Sequence, residues 1–180
     1  FSVPGYKFMP AYRNKIWDGK IRLFNLRNQR LYYGLSNYVE KFCYDRDYSI
    51  DVQIEKIPSL SYKNILDYTK TIELEVEPRD YQLQAVTHCI NSKRVLLLSP
   101  TASGKSLIIY LLTRYLNKRT LIIVPTISLT QQMFSDFQHY GWNAEKYCHI
   151  IKQGNEKISN KQVIISTWQS IYKLQKKYFE

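Results

Sequence analysis

Beyond residue 93 the apolar positions gather into three short unbroken runs: RVLLLS (94–99), TLIIVP (120–125) and QVIIST (162–167). Each is rich in Val, Ile and Leu, and each is followed by a turn and a stretch with helical spacing. Strands that are apolar at every position are buried on both faces, and their alternation with helices predicts a parallel sheet covered on each side. KYCHII (146–151) is a candidate for one more strand.

The first 70 residues have a different texture, with many tyrosines and few aliphatic runs. GYKF (5–8) and GKIRLFNL (19–26) alternate as short strands, and LRNQRLYY (26–33) reads as a turn and a returning strand. In SNYVEKFCYDRD (36–47) the apolar residues Tyr38, Val39, Phe42 and Cys43 keep helical spacing behind a Ser36 cap. YSIDVQIEK (48–56) alternates again, with Ile50, Val52 and Ile54 on one face. This order predicts a small α+β module over residues 1–70. An acidic, proline-ended connector, TIELEVEPRD (71–80), then opens a second, α/β domain over residues 71–180.

Composition narrows the class. With 44% hydrophobic and 23% charged residues in 180, the chain is ordinary folded protein. No run of about 18 apolar residues exists to cross a membrane. The first residue is Phe1 and no signal-peptide pattern follows, so the expectation is a chain trimmed at its start, working in the cytoplasm. Cys43, Cys89 and Cys148 are far apart, which fits a reducing compartment and argues against disulfides or a zinc site. His88, His139 and His149 lack metal-ligand spacing.

The net charge of +11 favours a polyanionic partner. It is concentrated at the front, where Lys7, Arg13, Lys15, Lys20, Arg22, Arg27 and Arg30 face the single acid Asp18. Tyr6, Phe8, Tyr12, Trp17 and Phe24 interleave with these bases, as on a nucleic-acid-binding face. A second reading stays open: rings forming a core, with the bases on its wet side.

The sharpest chemistry lies in LLLSPTASGKSLII (96–109). A phosphate-binding loop aims successive backbone N–H groups and a helix N-terminus into one concavity. Gly104 permits close approach, Lys105 would reach the β and γ phosphates, and Ser106 would offer its hydroxyl to Mg2+. Ser99 stands where G-x-x-x-x-G-K-[ST] has its first glycine. Taken alone, the stretch is either a nucleotide loop or an ordinary strand-to-helix turn.

Three more stretches, in order, bear on that choice: RDYQLQAV (79–86), VPTISLTQQ (124–132) and ISTWQSI (165–171). Together with the loop they resemble the adenine-reading glutamine motif and motifs I, Ia and Ic of superfamily 2 helicases, phage-encoded members included. Within that family a non-glycine first position is usual, so PTASGKS reads as an intact variant. WDGKIRLF (17–24) extends the likeness into the basic module.

The resemblance implies a RecA-like P-loop domain using ATP and Mg2+, and DNA as partner, branched DNA or an RNA–DNA hybrid, with no obligate protein partner. It implies that Gln82 reads the adenine edge, with Arg79 or Tyr81 flanking the ring. Thr101, Ala102, Ser103, Gly104, Lys105 and Ser106 would wrap the phosphates. Thr126 and Thr167 would hold nucleic-acid phosphates, though either fits equally as a helix N-cap. Gln132 and Gln169 are weaker candidates, and Trp168 is core or contact. Lys15, Lys20 and Arg22 are the candidates on the basic face.

Hydrolysis further requires an Asp-Glu pair at the end of another apolar strand. After Lys105 the acids are Asp136, Glu145, Glu156 and Glu180, none placed that way. The expectation is therefore a helicase front part that binds nucleotide weakly, binds nucleic acid and barely turns ATP over.

Overall fold

The computed structural model describes residues 1–53, 59–151, 158–172 and 174. It divides into two units, Phe1–Lys56 and Ile57–Glu180.

In the first unit, helix α1 (Pro10–Arg13) opens with its proline at the first helical turn, where the missing N–H costs nothing. Helix α2 (Ser36–Tyr44) follows a 3-10 turn at Tyr33–Leu35. Ser36 is its first helical residue and Leu35 the N-cap, so the expected Ser36 cap is not formed. The strands expected at 5–8, 19–26 and 26–33 are also absent. A 3-10 turn occupies Tyr6–Phe8, and isolated antiparallel bridges join Ser2 to Lys20 and Asn25 to Arg30. Residues 48–53 form no strand, and 54–56 lie outside the described residues. Alternation specifies a strand only where one face is buried, and Gly19 is the one buried residue among positions 1–53. At φ +77° Gly19 backs onto the Tyr6 ring, where a Cβ would come within 2.1 Å.

The second unit is built on three parallel strands, β1 (Thr120–Val124), β2 (Cys148–Ile151) and β3 (Val163–Thr167), in the order β1-β3-β2. Val163 pairs with both Thr120 and Cys148, and all five β3 residues are buried, as its unbroken apolar run requires. Helices α3 (Tyr62–Thr71), α4 (Asp80–Ser92), α5 (Lys105–Leu116) and α6 (Ile127–His139) complete the unit, with short α7 (Ala144–Tyr147) and α8 (Trp168–Ile171). Val86, Leu107, Leu111, Phe137, Val163 and Ile165 meet in the core. This helix-and-parallel-sheet arrangement fits a RecA-like fold.

Two features of the second unit differ from the sequence reading. The run at 94–99 is not a strand, and Leu96 and Leu98 are 84% and 86% exposed. A strand apolar on both faces needs paired neighbours, and among the described residues none pairs with it. The second difference is α3, which the division at 70/71 assigned to the basic module. It folds with the second unit: Ile65 is buried in its core, Tyr62 Oη donates to Asp80 at 2.8 Å, and Asn91 exchanges two bonds with the Leu60 backbone. Its capping box, Ser61 with Asn64, carries a start signal that the tyrosine-rich composition obscured.

Candidate nucleotide site

The site lies between the start of α4 and the start of α5. Gln82, 5% exposed, accepts the Arg79 N–H on Oε1 at 2.9 Å and donates from Nε2 to the Ser103 carbonyl at 3.0 Å. Tyr81 Oη donates to the same carbonyl at 3.0 Å and accepts from Arg79 Nη1 at 3.3 Å. Arg79, Tyr81 and Gln82 therefore hold the loop carbonyl from one side.

Gly104 is fixed by this contact. It sits at φ +74°, and a Cβ there would stand 2.3 Å from Gln82 Nε2. Its neighbour Ala102 also takes a left-handed φ, of 63°, in the exposed tip formed with Thr101. The Ser99 hydroxyl meets the Ser103 hydroxyl across the loop, and Ser103 Oγ also bonds the Pro100 carbonyl at 2.9 Å. A serine at the first position thus closes the turn with a side-chain contact that glycine could not supply.

Lys105 Nζ donates to the carbonyls of Pro100 at 2.6 Å and Ser99 at 3.4 Å, so its ammonium lies over the loop. The N–H groups of Gly104, Lys105 and Ser106 meet no acceptor among the described residues, the orphan donors of a helix start. Ser106 Oγ lies 2.8 Å from Tyr140 Oη. Burial pushes the Tyr140 phenol above its ordinary range, against the Ser106 hydrogen bond, which lowers it. It is accordingly neutral at physiological pH.

Thr126 and Thr167 come to the same end of the sheet. Val124 is in register with Thr167, and Thr126 follows two residues on. Thr126 caps α6, accepting the Leu129 N–H at 3.3 Å, and its hydroxyl contacts Ser128 Oγ at 3.0 Å. Thr167 is buried with its hydroxyl on Ser170 Oγ at 3.0 Å, and it gives α8 no side-chain cap. Gln132, Gln169 and Trp168 are exposed, Trp168 at 55%, so Trp168 is not core.

In the first unit an open cleft of about 750 Å3 is lined by Lys7, Arg13, Lys15, Tyr12, Trp17 and the Asp18–Arg22 pair. Arg22 donates to Asp18 Oδ2 at 2.6 Å and Oδ1 at 3.3 Å. The Arg22 bond, helped by the Lys20 N–H, holds the Asp18 carboxyl below the usual carboxylate range. Lys20 is exposed but does not line the cleft. Phe8, at 81% exposure, and Phe24 face solvent, which disfavours the core reading of those rings. Sequence reasoning missed Tyr140, which no motif marks. Lys7 and Arg13 were visible as bases, but only the fold shows that they share a cleft with Lys15.

Among the described residues no three His, Cys, Asp or Glu side chains gather as a metal site, and no helix is long and apolar enough to cross a membrane. Burial pushes the Cys148 thiol up to about 12, leaving it a core residue.

With a loop opening α5 beside a parallel sheet, the class is a helix-and-sheet domain of RecA-like form, and the comparisons place the chain in a family. Residues 75–180 match the family described as "Type III restriction enzyme, res subunit", and the chain belongs to it. Residues 1–53 match the family described as "DNA helicase UvsW, N-terminal".

Among individual relatives, the chain is 37% identical to the ATP-dependent DNA helicase uvsW of Enterobacteria phage T4, over 99% of its own length and 38% of the relative's. It is 33% identical to the DNA 3'-5' translocase XPB2 of Sulfurisphaera tokodaii, over 52% of the chain and 19% of that protein. A crystal structure of the UvsW helicase from bacteriophage T4 superposes with a TM-score of 0.85 at 36% identity, covering 99% of this chain and 68% of that one. The chain thus spans well under half the length of the curated relatives it matches.

Proposed function

We propose that this chain is the nucleotide-binding front part of an ATP-dependent helicase or translocase acting on branched DNA or RNA–DNA hybrids, in recombination and repair, in the cytoplasm of a phage-infected cell. The observation that carries the reading is the tie from Gln82 and Tyr81 to the Ser103 carbonyl. It couples the helix start that would meet a base to the loop that would meet its phosphates.

Lys105 would leave the Pro100 and Ser99 carbonyls for the β and γ phosphate oxygens, exchanging neutral acceptors for charged ones. The free N–H groups at the start of α5 would donate to the same anion. Gln82 has one amide hydrogen and one lone-pair site left after its two present bonds, a donor and an acceptor matching the adenine edge. Arg79 and the exposed Tyr81 flank that ring.

For Mg2+ the chain offers the Ser106 hydroxyl and no acid cluster among the described residues. Magnesium sites combine one or two carboxylates with phosphate oxygens and water, so Ser106 would be one ligand among several. When bound the ion neutralises charge developing on the phosphates. Thr126 and Thr167 stand at adjoining strand ends; in this reading they would grip nucleic-acid phosphates without reading sequence, Thr167 through a hydroxyl that must first leave Ser170. The lysines and arginines of the first unit's cleft add non-specific affinity.

By itself the chain binds ATP weakly and barely hydrolyses it, because no Asp-Glu pair ends a strand among the described residues. The test is ATP binding and turnover by this chain and by Lys105→Ala. Binding lost in the variant, with no significant turnover in either, supports the reading. Robust turnover abolished by Lys105→Ala refutes the incomplete-site argument, and binding indifferent to Lys105 refutes the site.

A further inference from the structure

The loop residue assigned to the metal has an unexpected neighbour. Ser106 Oγ and Tyr140 Oη are 2.8 Å apart, a separation at which either hydroxyl can donate. Tyr140 lies 34 residues further along the chain, just past the end of α6. Its location is closely determined. The Tyr140 N–H donates to Asp136 O at 2.9 Å, and its carbonyl accepts from Tyr110 Oη at 3.3 Å. Its ring packs edge-on against Tyr110 at 5.2 Å between centroids. Gly141 follows at φ +89°, with the Glu73 carbonyl where a Cβ would be, 2.2 Å away. Connector, α5 and the α6 turn thus fix one phenol oxygen on one serine.

We propose that Tyr140 is a positioning residue for the Ser106 hydroxyl, accepting its hydrogen bond so that the serine lone pairs face the divalent cation of a bound nucleotide. This rests on the nucleotide reading above. A hydroxyl has one hydrogen and two acceptor sites. To ligate a cation it must present a lone pair, so its hydrogen has to be taken up elsewhere. Among the described residues the phenol oxygen is the side-chain group within bonding distance. Second-sphere partners of this kind orient metal ligands, and their loss typically costs metal affinity. Because Tyr140 also bonds Tyr110 on α5 and follows α6, it links the Ser106 rotamer to the helix that Thr126 caps.

The experiment titrates ATP calorimetrically into the 180-residue chain, once with MgCl2 and once with EDTA. The variants are Tyr140→Phe, Ser106→Ala and the double variant. Tyr140→Phe keeps the ring against Tyr110 and removes only the hydroxyl. Its expected signature is a Mg2+-dependent gain in ATP affinity reduced about tenfold, with affinity in EDTA unchanged. In the Ser106→Ala background, Tyr140→Phe changes neither titration.

A wild-type-sized gain in Tyr140→Phe overturns the assignment. So does a larger gain, which would make the phenol a competitor for the serine. Equal losses in Mg2+ and EDTA would mean packing alone and overturn it too, as would the absence of any Mg2+-dependent gain in the wild type. ATP binding undetectable in the wild type under both conditions removes the nucleotide reading itself, and this assignment with it. Should Tyr140→Phe fail to fold, Tyr140→Leu, which likewise lacks the hydroxyl, is read in its place: a reduced Mg2+-dependent gain with affinity in EDTA unchanged supports the assignment, and a wild-type-sized gain overturns it.

Discussion

The two charged regions of this molecule are built in opposite ways. Around the phosphate loop nearly every polar side chain already has a protein partner. Gln82 and Tyr81 are on Ser103, Ser99 is on Ser103, Lys105 is on Pro100, and Ser106 is on Tyr140. Among the described residues of the first unit's cleft, Asp18 and Arg22 form the one ion pair, while Lys7, Arg13 and Lys15 stand exposed beside Tyr12 and Trp17. On the proposed function, the first arrangement would be preorganised for one ligand geometry and sensitive to single atoms. On the same reading, the second would work through summed charge, tolerate substitution and answer to salt. If that contrast is right, single substitutions at the loop have large effects and those in the cleft have small, additive ones.

The largest effect is expected from Lys105→Ala. The ammonium's bonds to charged phosphate oxygens are each worth about 1.5–3 kcal/mol, so ATP affinity falls on the order of a hundredfold, measured by calorimetric titration. A change under threefold would break the contrast at its stronger end. Gly104→Ala comes next. Its left-handed φ and the Gln82 amide 2.3 Å from the new Cβ act together. The backbone penalty of about 1–2 kcal/mol adds to a lost Gln82–Ser103 bond of about 1 kcal/mol. The expected loss of stability, roughly 2–3 kcal/mol, is read from denaturant unfolding followed by tryptophan fluorescence. Stability equal to wild type would mean that the loop is not held as described.

How much of this was legible depends on whether the signal was local. β1 and β3 are visible in the sequence because unbroken Val and Ile runs between turns leave few alternatives, and the start of α5 is visible because Gly-Lys-Ser marks it. RVLLLS carries the same apolar signal but makes no strand, since strand formation needs a neighbour that composition cannot guarantee. In the first unit, alternation misled because no sheet face is buried there. The Ser106–Tyr140 contact was not legible at all: the partners are 34 residues apart, and tyrosine is common in this chain. The bases of the front segment were plain, but not which of them were already neutralised.

The cleft supplies the smaller effects. Replacing Lys7, Arg13 and Lys15 together by Ala should flatten the dependence of log K on log salt for single-stranded DNA by about 2, with each single change contributing roughly a third of that. A slope unchanged in the triple variant would show that the cleft is not a phosphate-binding surface, whatever the loop does.

The last and smallest effect separates two residues that the sequence ranks alike. Lys15 and Arg22 both line the cleft, but Arg22 is held by both Asp18 oxygens. The Arg22 bond keeps the Asp18 carboxyl below its ordinary range. A carboxylate with a depressed folded-state pKa retains its partner throughout neutral and mildly acid pH, and releases it only as pH falls through that lowered value. At pH 7, then, Arg22 contributes little free charge, and Arg22→Ala should change DNA affinity less than Lys15→Ala does. Asp18→Asn should do the reverse, releasing Arg22 and steepening the salt slope by about 0.7. If Arg22→Ala and Lys15→Ala prove equal in affinity and slope, the ion pair yields to phosphate without cost. The first unit then has no preorganised element, and its contrast with the loop is complete.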